Sequence, residues 1–89
     1  MIHLTIVVEG SVQGVGFRWS ARTWANKLGV AGFVRNEDDG SVLIEAEAEE
    51  AAMDQFLAWC RYGPSGAEVE RVNSRKGPLK GFTGFQIEG

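Results

Sequence analysis

The sequence predicts an α+β fold: a ferredoxin-like βαββαβ sandwich, with an antiparallel sheet carrying two helices on one face. Three observations predict it. Apolar residues alternate with a period of two in several short segments, as in half-buried strands, and recur with helical spacing in two longer ones. The strand-like and helix-like segments come in the order β-α-β-β-α-β, with room for one more short strand at the end. The breaks between them carry turn residues, Gly, Pro, Asn, Asp and Ser.

In chain order, His3 to Val8 is the first strand, with Leu4, Ile6 and Val8 on one face. Glu9 to Arg18, EGSVQGVGFR, interposes three glycines before Phe17, Ala21, Trp24 and Leu28 recur at i, i+4, i+7 and i+11 as one stripe of a helix. Gly29 stands where a helix C-terminal glycine is expected. Val30 to Asn36 reads as the second strand, Asp39-Gly40 as a hairpin turn, and Ser41 to Ala48 as the third strand. In that strand Val42, Ile44 and Ala46 face one way, and Glu45 and Glu47 the other. The second helix presents Met53, Phe56, Leu57 and Cys60, and ends before Gly63-Pro64-Ser65-Gly66. Two strands remain, Val69 to Ser74 and Phe82 to Ile87, with a turn at Lys76-Gly77-Pro78.

The 89 residues are expected to form one domain spanning 1–89, large enough to bury a core without staples. Nine Lys+Arg against twelve Asp+Glu give a charge of -3, which argues against a nucleic-acid binder but not against a small anionic ligand. Cys60 is the only cysteine, so no intrachain disulfide and no cysteine-built metal site are expected. MIHLTIVVEG is too short and interrupted for a signal peptide or membrane span, so the expected compartment is the cytoplasm.

The glycine loop fits neither common phosphate pattern. After Gly16 stands Phe17-Arg18 rather than the Lys-Ser/Thr of a Walker A loop, and position 19 is tryptophan rather than the third glycine of a dinucleotide fingerprint. Its physics still suits an anion. Gly14 and Gly16 let the backbone turn sharply and gather N–H groups, next to a helix N-terminus whose dipole favours negative charge. Arg18 has the wrong sign for that dipole unless an anion sits between, where its guanidinium would grip a phosphate bidentately. The plain alternative is a tight turn with a solvated Arg18. Against it stands the topology: the first two strands run parallel, so the loop shares a sheet edge with Arg35 and Asn36 at the end of the second.

GSVQGVGFR resembles the acylphosphatase signature, and Gly32 to Val42, GFVRNEDDGSV, resembles that family's second signature. Gly63 to Val69, GPSGAEV, is similar to the family's approach to its fourth strand. The resemblance spans essentially the whole chain. It implies hydrolysis of carboxyl-phosphate anhydrides to a carboxylate and inorganic phosphate. It also implies that Arg18 and backbone donors from Gln13, Gly14, Val15, Gly16 and Phe17 bind the phosphoryl group, and that Asn36 orients the attacking water. The implied partners are a small acyl phosphate, and phosphate as product and inhibitor. No metal, cofactor, nucleic acid or membrane is implied, and a monomer is expected.

That chemistry agrees with what the chain lacks. It has no Ser/His/Asp triad and no HExxH, and an acyl phosphate needs neither, because its carboxylate leaving group has a pKa of about 4 and departs without a general acid. Other residues read as structural. His3 is a surface or sheet-face residue, Cys60 a core hydrophobe, and Trp24 and Trp59 core or helix-flank packing. Trp19 is a candidate pocket residue. Arg22 reads as a solvated helix residue, Asp38 and Asp39 as hairpin residues, and Glu45, Glu47, Glu49 and Glu50 as a solvated strand face and helix start. Two other functions compete: a phosphate- or carbamoyl-phosphate-binding domain without turnover, and an RNA-binding module, whose aromatic pattern Lys80 to Ile87 echoes with an extra Thr83.

Overall fold

The computed structural model describes residues 1–89 and contains seven elements: β1 (Ile2–Ser11), α1 (Phe17–Leu28), β2 (Ala31–Asn36), β3 (Val42–Ala48), α2 (Glu50–Tyr62), β4 (Glu68–Gly77) and β5 (Phe85–Glu88). They build a five-stranded sheet in the order β4-β1-β3-β2-β5. β3 runs antiparallel to both β1 and β2, so β1 and β2 run parallel and end on the same edge, as the topology requires.

The register places Leu4, Ile6 and Val8 beside Ala46, Ile44 and Val42, and Val34 beside Ile44. These side chains are buried together with Ala21 and Ala25 of α1 and Met53, Phe56 and Cys60 of α2. The core is therefore the layer between the sheet and its two helices. Burial pushes the Cys60 thiol up to about 12, so it behaves as the small hydrophobe its position predicts. α1 has the predicted bounds and closes on Gly29, which is left-handed at φ 75 and whose N–H donates to the Ala25 carbonyl. Trp24, at the edge of the stripe, is 40% exposed and stacks on Trp59 at 6.5 Å, so it packs along the helix flank.

Three features differ from the sequence-based expectation. The fifth strand begins at Phe85, not Phe82, and pairs parallel with β2, so the sheet is mixed rather than wholly antiparallel. Residues 80–82 are unavailable for a ladder because their N–H groups donate to the Glu47 carboxylate. β4 is longer than predicted because it is an edge strand whose side chains are mostly exposed, leaving few apolar residues to alternate. Its two apolar residues, Val69 and Val72, lie three apart because the register shifts opposite Glu9 and Gly10.

The third difference is on the sheet face away from the helices. Glu47 and His3, expected at a solvated or plain surface, are only 4% and 2% exposed. The segment leading into β5 covers them, with Phe82 stacked on His3 at 6.0 Å and edge-on to Phe33 at 5.9 Å.

Candidate active site

β1 leaves the sheet at Ser11, and the next five residues form the glycine loop. Apolar side chains pin it from beneath. Val12 and Phe17 are each 1% exposed, Phe17 against the Trp59 ring at 5.2 Å, and Val15 is half-buried against the core. The Phe17 side chain thus belongs to the core, which leaves only its backbone to the loop.

Gly14 and Gly16 have φ of 74 and 80, whereas no residue other than glycine in the chain has positive φ. The loop thus alternates handedness across Gly14, Val15 and Gly16, the geometry in which successive amides point into one concavity. A Cβ at either glycine would have to adopt a left-handed conformation that L-residues rarely take. The N–H groups of Gln13, Gly14, Val15 and Gly16 find no backbone acceptor in the fold. Gly16 is also the N-cap of α1, with no side-chain cap and no acidic residue in the first turn. Free amides and an uncompensated helix dipole therefore converge at one place, as an anion requires.

Arg18, half-buried in that first turn, is the nearest cation in sequence. Its Nη1 donates to the Glu88 carbonyl at the end of β5, at 3.4 Å. β5 lies beside β2, whose last residue is the half-buried Asn36. Loop, Arg18 and Asn36 consequently meet at one edge of the sheet.

The polar pair read at the end of β2 does not act together. Asn36 points to the helix side with Val34, whereas Arg35 lies on the other face over the Phe33 ring at 5.5 Å. Arg35 is paired with Glu37 at 3.0 Å and Glu88 at 3.9 Å. Trp19 is 63% exposed and forms a plate for Arg22, whose guanidinium lies 4.4 Å from the ring centre. Asp39 is the hairpin residue expected, its Oδ1 accepting from Ser41 Oγ at 2.6 Å and Ser41 N at 2.9 Å. Those bonds, the hydroxyl's first, hold its carboxyl below the usual range. With Glu9 and Glu70, it lines a shallow cavity of about 270 Å³ whose three carboxylates would repel a phosphate.

A contact unseen in the sequence is made by the Gln13 side chain. Its Nε2 donates to the carbonyls of Glu37 at 2.8 Å and Ser41 at 2.9 Å. Nothing in the pattern around a lone glutamine in a loop announces partners 24 and 28 residues away.

The acylphosphatase family model matches residues 4–87. The chain belongs to the acylphosphatase family. It is 49% identical over 81 residues to an acylphosphatase of Synechococcus sp. (strain CC9311), covering 91% of this chain and 90% of that protein. It superposes on the crystal structure of acylphosphatase from Bacillus subtilis with a TM-score of 0.97 at 37% identity over 100% of both chains. It is also similar, with a TM-score of 0.89 and 28% identity, to a part of full-length HypF crystallised in a phosphate- and nucleotide-bound form. The alignment covers 99% of this chain but 12% of that one. Within an acylphosphatase fold, the free loop amides, the uncapped helix N-terminus, Arg18 and Asn36 thus lie at one edge of the sheet.

Proposed function

We propose that this site hydrolyses acyl phosphates with the phosphoryl group seated in the loop and the water brought by Asn36. The activity, that of an acylphosphatase, follows from the family and from relatives matched over nearly the whole chain. The observation that carries the residue assignment is the meeting of free loop amides, an uncapped helix N-terminus, Arg18 and Asn36 at one sheet edge.

Backbone N–H groups from Gln13 to Phe17 and the Arg18 guanidinium hold the phosphoryl oxygens. A loose phosphoryl transition state asks mainly for positioning and charge stabilisation, which these donors supply without a metal ion. Asn36 accepts from the water through its carbonyl oxygen and donates through its amide, so it orients rather than deprotonates. Water oxygen bonds to phosphorus and the bond from phosphorus to the acyl oxygen breaks. The carboxylate leaves with the electron pair, and the water proton ends on the phosphate. Inorganic phosphate fits the same cradle and should compete. The overall charge of -3 and the inward-turned Phe82 support a reading without nucleic acid, and a cytoplasmic monomer is the corresponding cellular reading.

Steady-state hydrolysis of a small aryl acyl phosphate, in the presence of a chelator and with phosphate as inhibitor, tests this. Arg18→Ala should lower kcat/KM by about a thousandfold, the upper range for one oxyanion donor, and weaken phosphate inhibition while the fold persists. Asn36→Ala should lower kcat by about a hundredfold but leave the phosphate inhibition constant nearly unchanged. An Asn36→Ala enzyme with normal turnover would sink its assigned role. The similarity to a segment of HypF supports one second reading, phosphate binding without turnover, which the same assay on the unmutated protein separates.

A further inference from the structure

We infer that the Gln13 side chain is a positioning residue that locks the phosphate loop to the strand end carrying Asn36. A primary amide has two N–H donors, and both are used here: Nε2 lies 2.8 Å from the Glu37 carbonyl oxygen and 2.9 Å from that of Ser41. These carbonyls lie on the two sides of the β2–β3 hairpin, which is itself closed by Glu37 N–H donating to Ser41 O at 2.9 Å. Glu37 directly follows Asn36, and Gln13 directly precedes Gly14. One side chain therefore ties the group that would orient water to the amides that would hold phosphorus.

No ladder does this work instead. The β1–β3 pairing ends at Val8 and Val42, and β1 leaves the sheet three residues after Val8. Loop and hairpin meet beyond the last rung, and the two bonds from Gln13 bridge them. The bonds are also dispensable to the hairpin. The Glu37 carbonyl keeps the Gly40 N–H at 3.1 Å, and the Ser41 carbonyl keeps the Glu37 N–H. Removing the amide orphans neither acceptor, so the hairpin should persist while its distance to the loop relaxes. Displacing a water-orienting group by about 1 Å from its phosphoryl target costs on the order of a hundredfold in rate.

The inference rests on the roles proposed for the loop and Asn36, and a double-mutant cycle distinguishes its failure from theirs. Gln13→Met keeps much of the side-chain shape and removes both donors. It should lower kcat by about 10- to 100-fold while the phosphate inhibition constant stays within about threefold. In an Asn36→Ala background the same substitution should lower kcat by less than about threefold, because there is no longer a water ligand to misplace. A merely structural role would instead multiply the two losses. Gln13→Asn, one methylene too short to reach both carbonyls, should behave as Gln13→Met does.

Equal losses from Gln13→Met in both backgrounds, or a kcat within about twofold of the parent's, overturn the inference alone. Failure of both Gln13 variants to fold, read by circular dichroism, also overturns it by making Gln13 structural. An Asn36→Ala enzyme with unchanged kcat overturns the Asn36 role, and this inference with it.

Discussion

Glu47 shows how far one side chain can depart from its sequence-based reading. It alternates with Ile44 and Ala46, so it falls on the face away from the helices, and a glutamate there is ordinarily solvated. The structure instead brings it the N–H groups of Lys80, Gly81 and Phe82, and His3 Nδ1 at 2.8 Å from its Oε2. Burial acts to raise its pKa and is the largest single influence. The donors led by Lys80 N–H, followed by His3, Phe82 and Gly81, together outweigh it and hold the carboxyl at about 2, against an ordinary 4.5. A carboxyl with a depressed folded-state pKa stabilises fully above its unfolded value, and that stabilisation is lost as pH falls from about 4.5 through about 2. The protein should therefore lose thermal stability steeply across that window. Glu47→Gln, which cannot ionise, should have a lower Tm at pH 7 and a flatter profile between pH 5 and 2, read by circular dichroism melts; equal slopes for the two proteins would remove Glu47 from the account. Local pattern gave no hint of this, because three of the partners are backbone N–H groups more than 30 residues downstream and the fourth, His3, lies 44 residues upstream.

Elements were legible where hydrophobic period and glycine chemistry agreed. α1 was readable at both ends because its stripe runs unbroken to Gly29. The sharp turn of the glycine loop was readable too, since Gly14 and Gly16 flank a valine just before a helix without an acidic first turn. β4 and β5 were less so, as neither a nearly all-exposed edge strand nor a four-residue one gives alternation enough to set its bounds. Strand β2 holds a constraint hidden in plain composition. Gly32 is buried mid-sheet with φ 145, paired with Ala46 on one side and Phe85 on the other. A Cβ there would lie 1.8 Å from the Glu45 carbonyl oxygen, a backbone atom that cannot yield without opening the β2–β3 ladder. Because that ladder ends at Asn36, opening it also moves the site. Gly32→Ala should therefore cost about 3 kcal/mol or more in urea unfolding and leave residual hydrolysis well below the parent's even where the variant remains folded. A variant of parental stability would show that β2 can shift at no cost.

At the scale of the whole molecule, the sequence order sufficed for the topology, because alternating strand and helix segments leave few right-handed, unknotted arrangements. The way the last residues bind the rest together was not legible, since it depends on contacts between segments far apart in the chain. Residues 80–82 clamp the sheet face behind the helices, and β5 then adds to the edge of β2. The end of β5 meets α1, where the Glu88 carbonyl accepts from Arg18. Its anchor is Phe85, 5% exposed and edge-on to Phe56 of α2 at 6.0 Å. Phe85→Ala should thus be felt twice. Loss of the buried ring should lower unfolding free energy by about 3 kcal/mol, a large share of a small domain's stability. With β5 loosened, Arg18 loses a fixed acceptor, so the inhibition constant for phosphate should rise by up to about fivefold, the worth of one hydrogen bond of about 1 kcal/mol. Glu88→Ala provides the contrast. It removes an exposed carboxylate 3.9 Å from Arg35 yet keeps the backbone carbonyl that Arg18 uses, so stability and phosphate inhibition should both stay near parental values. If Phe85→Ala loses stability while phosphate inhibition is unmoved, β5 holds the core but not the arginine.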